Sequence, residues 1–396
     1  MKVLISGHAS MFPPEHGGAK NVRHVAELLA AEGVEIRVLV KMHPPVKQRI
    51  RFAGQHIDGL EQHRPEFTSW TPPGADGACA WTHKRISYRG IVGESTDLAR
   101  VTAREIAEFG PDSVIMCDDS LDEGLDLWQA SAASGRLIFL AQTIHSLAFG
   151  PYAMKPNASV AEAIKKAKRI IAPSKHVAAH IEAQLGRKAE VFYPDVFGKP
   201  PFPDLSNFAS PYITMINPCP WKGSSILINL AKRRPDLKFA AVPTWGATPD
   251  LIDKLKALPN MTLLEETPNI DEIFAKTRVL IAPSMCQEAF GLVSPEAMLR
   301  GVPVIASDIA GLKESTLGVA TLLPVTPLPF SGPKEGTDHT KFEWVEPEND
   351  VEPWSRALDE ILASESAYHE RSKRGRAATL AFVESLSKRS IRALFE

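Results

Sequence analysis

A proline-dense stretch, YPDVFGKPPFPDLSNFASPY (Tyr193–Tyr212), constrains this 396-residue chain more than any other feature. Prolines lack the N–H that a central strand must donate, so the stretch cannot lie inside a sheet. An alternation of short apolar strands and helices runs up to it and restarts after it. Ahead of it, KVLIS (Lys2–Ser6) reads as a strand. Val22, Val25, Ala26 and Leu29 then fall at helical spacing until Gly33, and EIRVLV (Glu35–Val40) is the next strand. Such a unit calls for parallel strands joined by a crossover helix. The pattern resumes with a helix over Leu98–Phe109, strand SVIMC, a helix over Leu121–Ala133 and strand RLIFLAQ, and it ends on RIIAPS (Arg169–Ser174) and AEVFY (Ala189–Tyr193). Residues 42–92, rich in Pro, His and Arg, read as loops.

After the bridge come strand ITMIN, a helix near Ser224–Lys232, KFAAVP, a helix near Pro249–Ala257, MTLLE, a helix near Ile270–Lys276, RVLIAPS and PVIAS. The expected fold is α/β, with two doubly wound Rossmann-like domains. Residues 1–195 form the first, 196–211 the linker and 212–365 the second; residues 366–396 form a C-terminal helix returning towards the first domain. Residues 323–350 read as a polar, proline-rich excursion, and Pro353–Ser364 and Ala367–Phe395 as helices.

Composition narrows the class. Charged residues make up 23% and the formal charge is -2, which argues against a nucleic-acid partner held by a global positive field. The cysteines, Cys79, Cys117, Cys219 and Cys286, have no CxxC spacing, which fits a reducing compartment and no zinc site. The start, MKVLISGHASMF, is interrupted too soon for a signal peptide, and no apolar run approaches the ~20 residues of a membrane span. A cytoplasmic location is expected.

The stretch QEAFGLVSPEAMLRGVPVIAS (Gln287–Ser307) carries the chemistry. It follows the strand RVLIAPS, and Ser294, Pro295 and Gly301 mark the start and end of a helix. The loop therefore lies at the carboxyl edge of a parallel sheet, where ligands of open α/β folds bind. Amides of Phe290, Gly291 and Leu292 suit an anion there, and Gly291 lets the backbone approach. Glu296, in the first turn, is favoured by the helix dipole. These features alone also describe an ordinary solvated turn.

The segment EAFGLVSPE, with seven residues between Glu288 and Glu296, followed by AMLRGVPVIASDIAGLKE, resembles the signature of the family-4 retaining glycosyltransferases. Those are two-domain GT-B enzymes whose Rossmann-like domains face each other across a cleft. The resemblance implies transfer of a hexose from a nucleoside-diphosphate sugar, the co-substrate, with no further cofactor and no metal. It implies that Glu288 faces the transferred sugar, that Glu296 holds the donor ribose diol, and that Phe290, Gly291, Leu292 and Val293 line the donor. An ionised carboxylate accepts from two vicinal hydroxyls well.

A departing diphosphate needs positive partners. NPCPWKGSS (Asn217–Ser225) follows the first strand of the second half and enters a helix at Gly223. The family's matching segment has an arginine and a lysine on the diphosphate; here Lys222 is kept and Asn217 stands near the arginine's place. Gly17 and Gly18 precede the first helix and resemble the family's N-terminal glycine pair, which reaches the diphosphate. His145, just past RLIFLAQ, resembles the family's histidine at the reacting centre. The expected catalytic residues are thus His145 and Glu288; Gly17, Gly18, Asn217, Lys222, Gly223 and Glu296 join the donor set. Closure of the two domains would exclude water.

CDDSLD (Asp118, Asp119, Asp122) reads as a solvated acidic loop rather than a metal site. His8, His16 and His24 do not share a helical face, which speaks against zinc. The acceptor stays unidentified. Lys47, Arg49, Arg51, Lys84, Arg85 and Arg89 with Trp70 and Trp81 fit a membrane-surface patch, an acceptor wall or a solvated face. Pro243–Gly246 and Pro268–Ile270 are candidate rests for the base. A catalytically idle sugar-nucleotide-binding or activator subunit is the rival class, and a GT-B epimerase a rival within the enzymes.

Overall fold

The computed structural model describes residues 1–7, 11–12, 14, 16–43, 55–72, 78–92, 95–118, 125–329, 346–388 and 390–396. The chain divides into two compact units, Met1–Val196 with Lys388–Glu396, and Phe197–Ser387.

The first unit is built from β1 (Lys2–Gly7), α1 (Gly17–Ala31), β2 (Glu35–His43), β3 (Gln55–His56), α2 (Ile57–His63), β4 (Ser69–Thr71), β5 (Cys79–His83), β6 (Ile86–Val92), α3 (Ser95–Phe109), β7 (Ser113–Cys117), α4 (Leu125–Ala133), β8 (Leu137–Leu140), α5 (Ala158–Lys165), β9 (Arg169–Ala172), α6 (Lys175–Leu185) and β10 (Glu190–Val191). Its sheet runs β10-β9-β8-β7-β1-β2-β6-β5-β4, with β3 beside β2. Helix α1 lays Val22, Val25, Ala26 and Leu29 into the core, as their spacing predicts. Its first turn is capped by His16, whose Nδ1 accepts from the Ala19 N–H.

Residues 42–92 are not simply loops. The described part of this span adds α2 and the antiparallel strands β4, β5 and β6, with β6 parallel to β2. The hairpin joining β5 to β6 turns on Lys84 and Arg85, both at positive φ (47° and 65°). That is the geometry of a primed turn, normally announced by Asn-Gly. With Lys-Arg there, the usual signal is missing. Of the basic and aromatic residues noted in the span, Trp81 is buried, Lys84 pairs with Glu27, and Arg85 donates to the Ala30 carbonyl. Lys47, Arg49 and Arg51 lie outside the described residues.

The second unit holds β11 (Tyr212–Ile216), α7 (Ser224–Arg233), β12 (Phe239–Val242), α8 (Pro249–Lys256), β13 (Met261–Leu263), α9 (Asp271–Phe274), β14 (Thr277–Ala282), α10 (Val293–Leu299), β15 (Val304–Ser307), α11 (Leu312–Ser315), β16 (Thr321–Leu323), α12 (Glu352–Leu362) and α13 (Glu365–Ser387). Its six strands are all parallel, in the order β13-β12-β11-β14-β15-β16. Counted from its own first strand this is 3-2-1-4-5-6, the doubly wound Rossmann order. Alternate residues of β14 serve opposite faces. Val279 and Ile281 pack with Leu227, Leu255 and Trp354, whereas Leu280 and Ala282 pack with Phe274, Met298 and Leu312. A strand buried on both faces explains why RVLIAPS reads as a continuous apolar run. Each fully buried Val, Ile or Leu contributes about 1.5–3 kcal/mol.

The proline-dense bridge is anchored in this second unit: Arg300 donates to the Phe197 carbonyl, and Arg376 to those of Phe202 and Pro203. Helix α13 stops at Ser387, short of the helix expected to run to Phe395. The last residues, 388–396, belong to the first unit, where Phe395 and Ile391 enter its core and Ser113 Oγ donates to the Phe395 carbonyl at 2.7 Å. Among the described residues no helix is long and apolar enough to cross a membrane.

Candidate functional site

In a 3-2-1-4-5-6 sheet the crossovers leave in opposite directions at strands 1 and 4, here β11 and β14, and open a crevice at their carboxyl ends. The loop after β11 runs through Asn217 and a single 3-10 turn, Pro220–Lys222, into Gly223 and α7. The loop after β14 carries Ser284 to Leu292 into α10. The two loops are stitched by the Met285 N–H donating to the Trp221 carbonyl at 2.9 Å. At Gly223 the chain takes φ 83°, and a Cβ would stand 2.0 Å from the Pro283 carbonyl oxygen, so only glycine fits this crossing.

Lys222 and Glu288 meet here as an ion pair, with side chains 27% and 11% exposed. Ser284 Oγ donates to the same carboxylate oxygen of Glu288 at 2.6 Å. Burial works against the Lys222 ammonium, but the Glu288 charge outweighs it and holds the lysine above its ordinary range. Burial, followed by the Glu288 charge, pushes the Cys286 thiol up. The site therefore presents a fixed cation and two protonated thiols. The Glu288 backbone is fixed as well, since its carbonyl accepts from the Gly311 N–H at 2.9 Å. A Cβ on Gly311 would stand 2.3 Å from the Ala289 oxygen.

Gly291 turns at φ 84°, and among the described residues the N–H groups of Gly291 and Leu292 donate to no other group. The Phe290 ring faces away into the core, stacked on Phe382 at 6.0 Å. Helix α10 begins at Val293, two residues earlier than expected, and is seven residues long. Ser294 is consequently not the cap: it is buried inside the first turn, its hydroxyl without a partner among the described residues. Half-buried Glu296 lies in that turn. Asn217, at φ 56°, spends its side-chain oxygen on the Gly246 N–H at 3.0 Å, tying down the loop after β12.

The other expected residues lie in the first unit. Gly17 and Gly18 form the first turn of α1, and at Gly18 a Cβ would stand 3.3 Å from Gln142 Cβ. Buried Asn21 donates to Gln142 Oε1 at 3.0 Å. His145 is 7% exposed; its Nδ1 lies 3.3 Å from the Tyr152 carbonyl, which can only accept, so the ring proton sits on Nδ1. The His145 carbonyl accepts from the Met154 N–H. Asp118 is not part of a solvated acidic loop. It is 1% exposed and accepts from the Gln142 and Thr143 N–H groups at 3.0 and 2.7 Å, which fixes the turn leading to His145. Asp119, Asp122 and His8 lie outside the described residues.

The structure thus brings Lys222, Gly223 and Glu288 together in one unit, and Gly17, Gly18 and His145 near a sheet edge in the other. Sequence reading passed over Ser284 and Gly311. Ser284 carries a local signal, a hydroxyl at a strand's carboxyl end four residues before Glu288. Gly311 carries none without the fold.

Residues 220–363, which include Lys222, Gly223, Glu288 and Glu296, match the protein-family model described as Glycosyl transferases group 1. Over 140 residues the chain is 29% identical to the alpha-1,3/1,6-mannosyltransferase alg-2 of Neurospora crassa, covering 34% of this chain and 24% of that protein. The match therefore spans about a quarter of that relative's length. Among solved structures, Anabaena Alr3699/HepE in complex with UDP is similar at 16% identity and a TM-score of 0.68, covering 100% of this chain and 99% of that one. The sucrose-phosphate synthase from Thermosynechococcus elongatus is similar at 16% identity and a TM-score of 0.64, covering 98% and 96%. These likenesses show the fold, which is that of the GT-B glycosyltransferases.

Proposed function

We propose that the chain is a retaining, metal-independent glycosyltransferase of the family-4 type, moving a hexose from a nucleoside-diphosphate sugar to a hydroxyl acceptor. The observation that carries this is the Lys222–Glu288 pair, set with Ser284 at the switch point of the second sheet and inside the stretch that matches the glycosyltransferase family. The complexes of HepE with UDP and with UDP-glucose support a nucleotide-sugar donor.

In this reading the donor exchanges partners with the resting site. Lys222 leaves Glu288 for the diphosphate, and the freed carboxylate takes hydroxyls of the sugar. Glu296 accepts from the ribose diol. The bond between the anomeric carbon and the phosphate oxygen breaks while an acceptor oxygen attacks from the same face, and the departing diphosphate takes the acceptor's proton. Lys222 stabilises the charge that grows on the leaving group, an effect of the kind worth roughly 10²–10³ in rate. Gly17 and Gly18 are assigned to the donor diphosphate and His145 to the reacting centre.

The test is release of nucleoside diphosphate from sugar donors in the presence and absence of acceptors, with the anomer of the product read by NMR. Acceptor-dependent release with retention is expected, unaffected by EDTA and lost in Glu288→Ala. Near-normal turnover of Glu288→Ala would refute the assignment. Binding of donor with no release under any acceptor would favour the idle-subunit reading, for which Asn217 in the arginine's place is the motive.

A further inference from the structure

The resting second unit neutralises its positive features with its own carboxylates. Glu288 covers Lys222, as described. Glu346 does the same at the start of α7: one of its oxygens lies 3.1 Å from Ser224 Oγ and accepts that hydroxyl, and the other accepts the Ser225 N–H at 3.1 Å. Helix α7 needs such a partner, because its N-cap is Gly223, which has no side chain to offer. The carboxylate comes from 121 residues along the chain, so this is a tertiary contact rather than a local cap. Its position is held by Asn349, whose Oδ1 accepts from the Thr326 N–H at 2.7 Å and whose Nδ2 meets the Pro347 carbonyl at 3.2 Å and Met285 Sδ at 3.1 Å. Met285 belongs to the same loop as Glu288. Beside the carboxylate, the Ser225 hydroxyl is buried and unpartnered among the described residues. An anion with three oxygens would use it; a carboxylate with two leaves it over.

We propose that Glu346 is a resident competitor of the donor diphosphate and so a determinant of donor affinity. Its carboxylate holds the α7 N-terminus next to Lys222, and a phosphate group must displace it to reach the Ser225 N–H and the Ser224 and Ser225 hydroxyls. This rests on the donor reading of the preceding section. Glu346 takes no part in bond breaking; it sets the free energy from which binding starts.

The experiment is titration calorimetry of the full chain with UDP and with inorganic pyrophosphate, on wild type, Glu346→Gln and Glu346→Asp. Glu346→Gln keeps an oxygen for the Ser225 N–H but removes the charge. It should bind both probes about 3- to 30-fold more tightly, the range that charged helix-terminus and capping contacts span. Glu346→Asp, charged but shorter, should fall between. A wild type that binds UDP, with Glu346→Gln binding equally or more weakly, overturns the proposal and leaves the donor reading standing; Glu346 is then only a cap, seen as a lower Tm at unchanged affinity. If none of the three proteins binds either probe, the donor reading falls and the proposal with it. Binding by Glu346→Gln alone supports the proposal in its strongest form.

Discussion

At the scale of single residues Lys222 matters most, a half-buried cation whose present partner is Glu288 and which the proposed function turns towards the diphosphate. Lys222→Met should weaken nucleoside diphosphate binding by about 10- to 150-fold, the worth of a charge-assisted hydrogen bond, as measured by calorimetry. It also strands the Glu288 carboxylate, so its Tm should fall even without ligand. Gly223→Ala tests the crossing of the two loops. With a Cβ 2.0 Å from the Pro283 oxygen and φ at 83°, it should destabilise the second unit by about 1–3 kcal/mol in denaturant titration and lower donor affinity. At this scale the sequence was legible where a residue's role is set by near neighbours. Strand, loop and helix signals were enough to put Glu288, Gly291 and Lys222 in loops at the carboxyl edge of a sheet, but their roles came from the resemblance. Ser294 was misplaced by two residues, within the usual uncertainty of a helix end. Asp118 was misread because its partners, the Gln142 and Thr143 amides, lie 24 and 25 residues away. Glu346 was invisible for the same reason at greater range.

Among the elements, the apolar runs were easy to read and the hairpin was not. Strands such as β7, β8 and β15 are buried along their length and declare themselves. The β5–β6 hairpin hides its turn in Lys84-Arg85, whose side chains are recruited by Glu27 and the Ala30 carbonyl of α1. The C-terminal tail is a second such element. Glu32, at the end of α1, accepts from Ser390 Oγ at 2.8 Å and from the Ile391 and Arg392 N–H groups at 3.0 and 3.2 Å. Partial burial pushes its carboxyl up, but these three donors outweigh that and hold it below the ordinary glutamate range. A depressed carboxylate contributes stability above its unfolded pKa and loses it as pH falls through the folded value. Wild type should therefore exceed Glu32→Gln in Tm at pH 7, and the gap should close below roughly pH 4. Phe395→Ala, emptying a fully buried ring site, should cost the first unit about 3–5 kcal/mol in denaturant titration.

For the molecule as a whole, the restart of the strand–helix alternation after Tyr193–Tyr212 was enough to expect two doubly wound sheets. The all-parallel 3-2-1-4-5-6 order of the second sheet then dictates where a ligand goes, at the ends of β11 and β14, independently of any resemblance. Donor base, sugar and acceptor are set by side chains rather than by sheet order, and no periodicity encodes them. The most direct measurement is a crystal structure of the chain with a bound nucleoside diphosphate. The ribose diol should lie on Glu296, the phosphates on Lys222 and the first turn of α7, and Glu288 should be parted from its lysine. Nucleotide bound elsewhere, with Lys222 and Glu288 still joined, would contradict this.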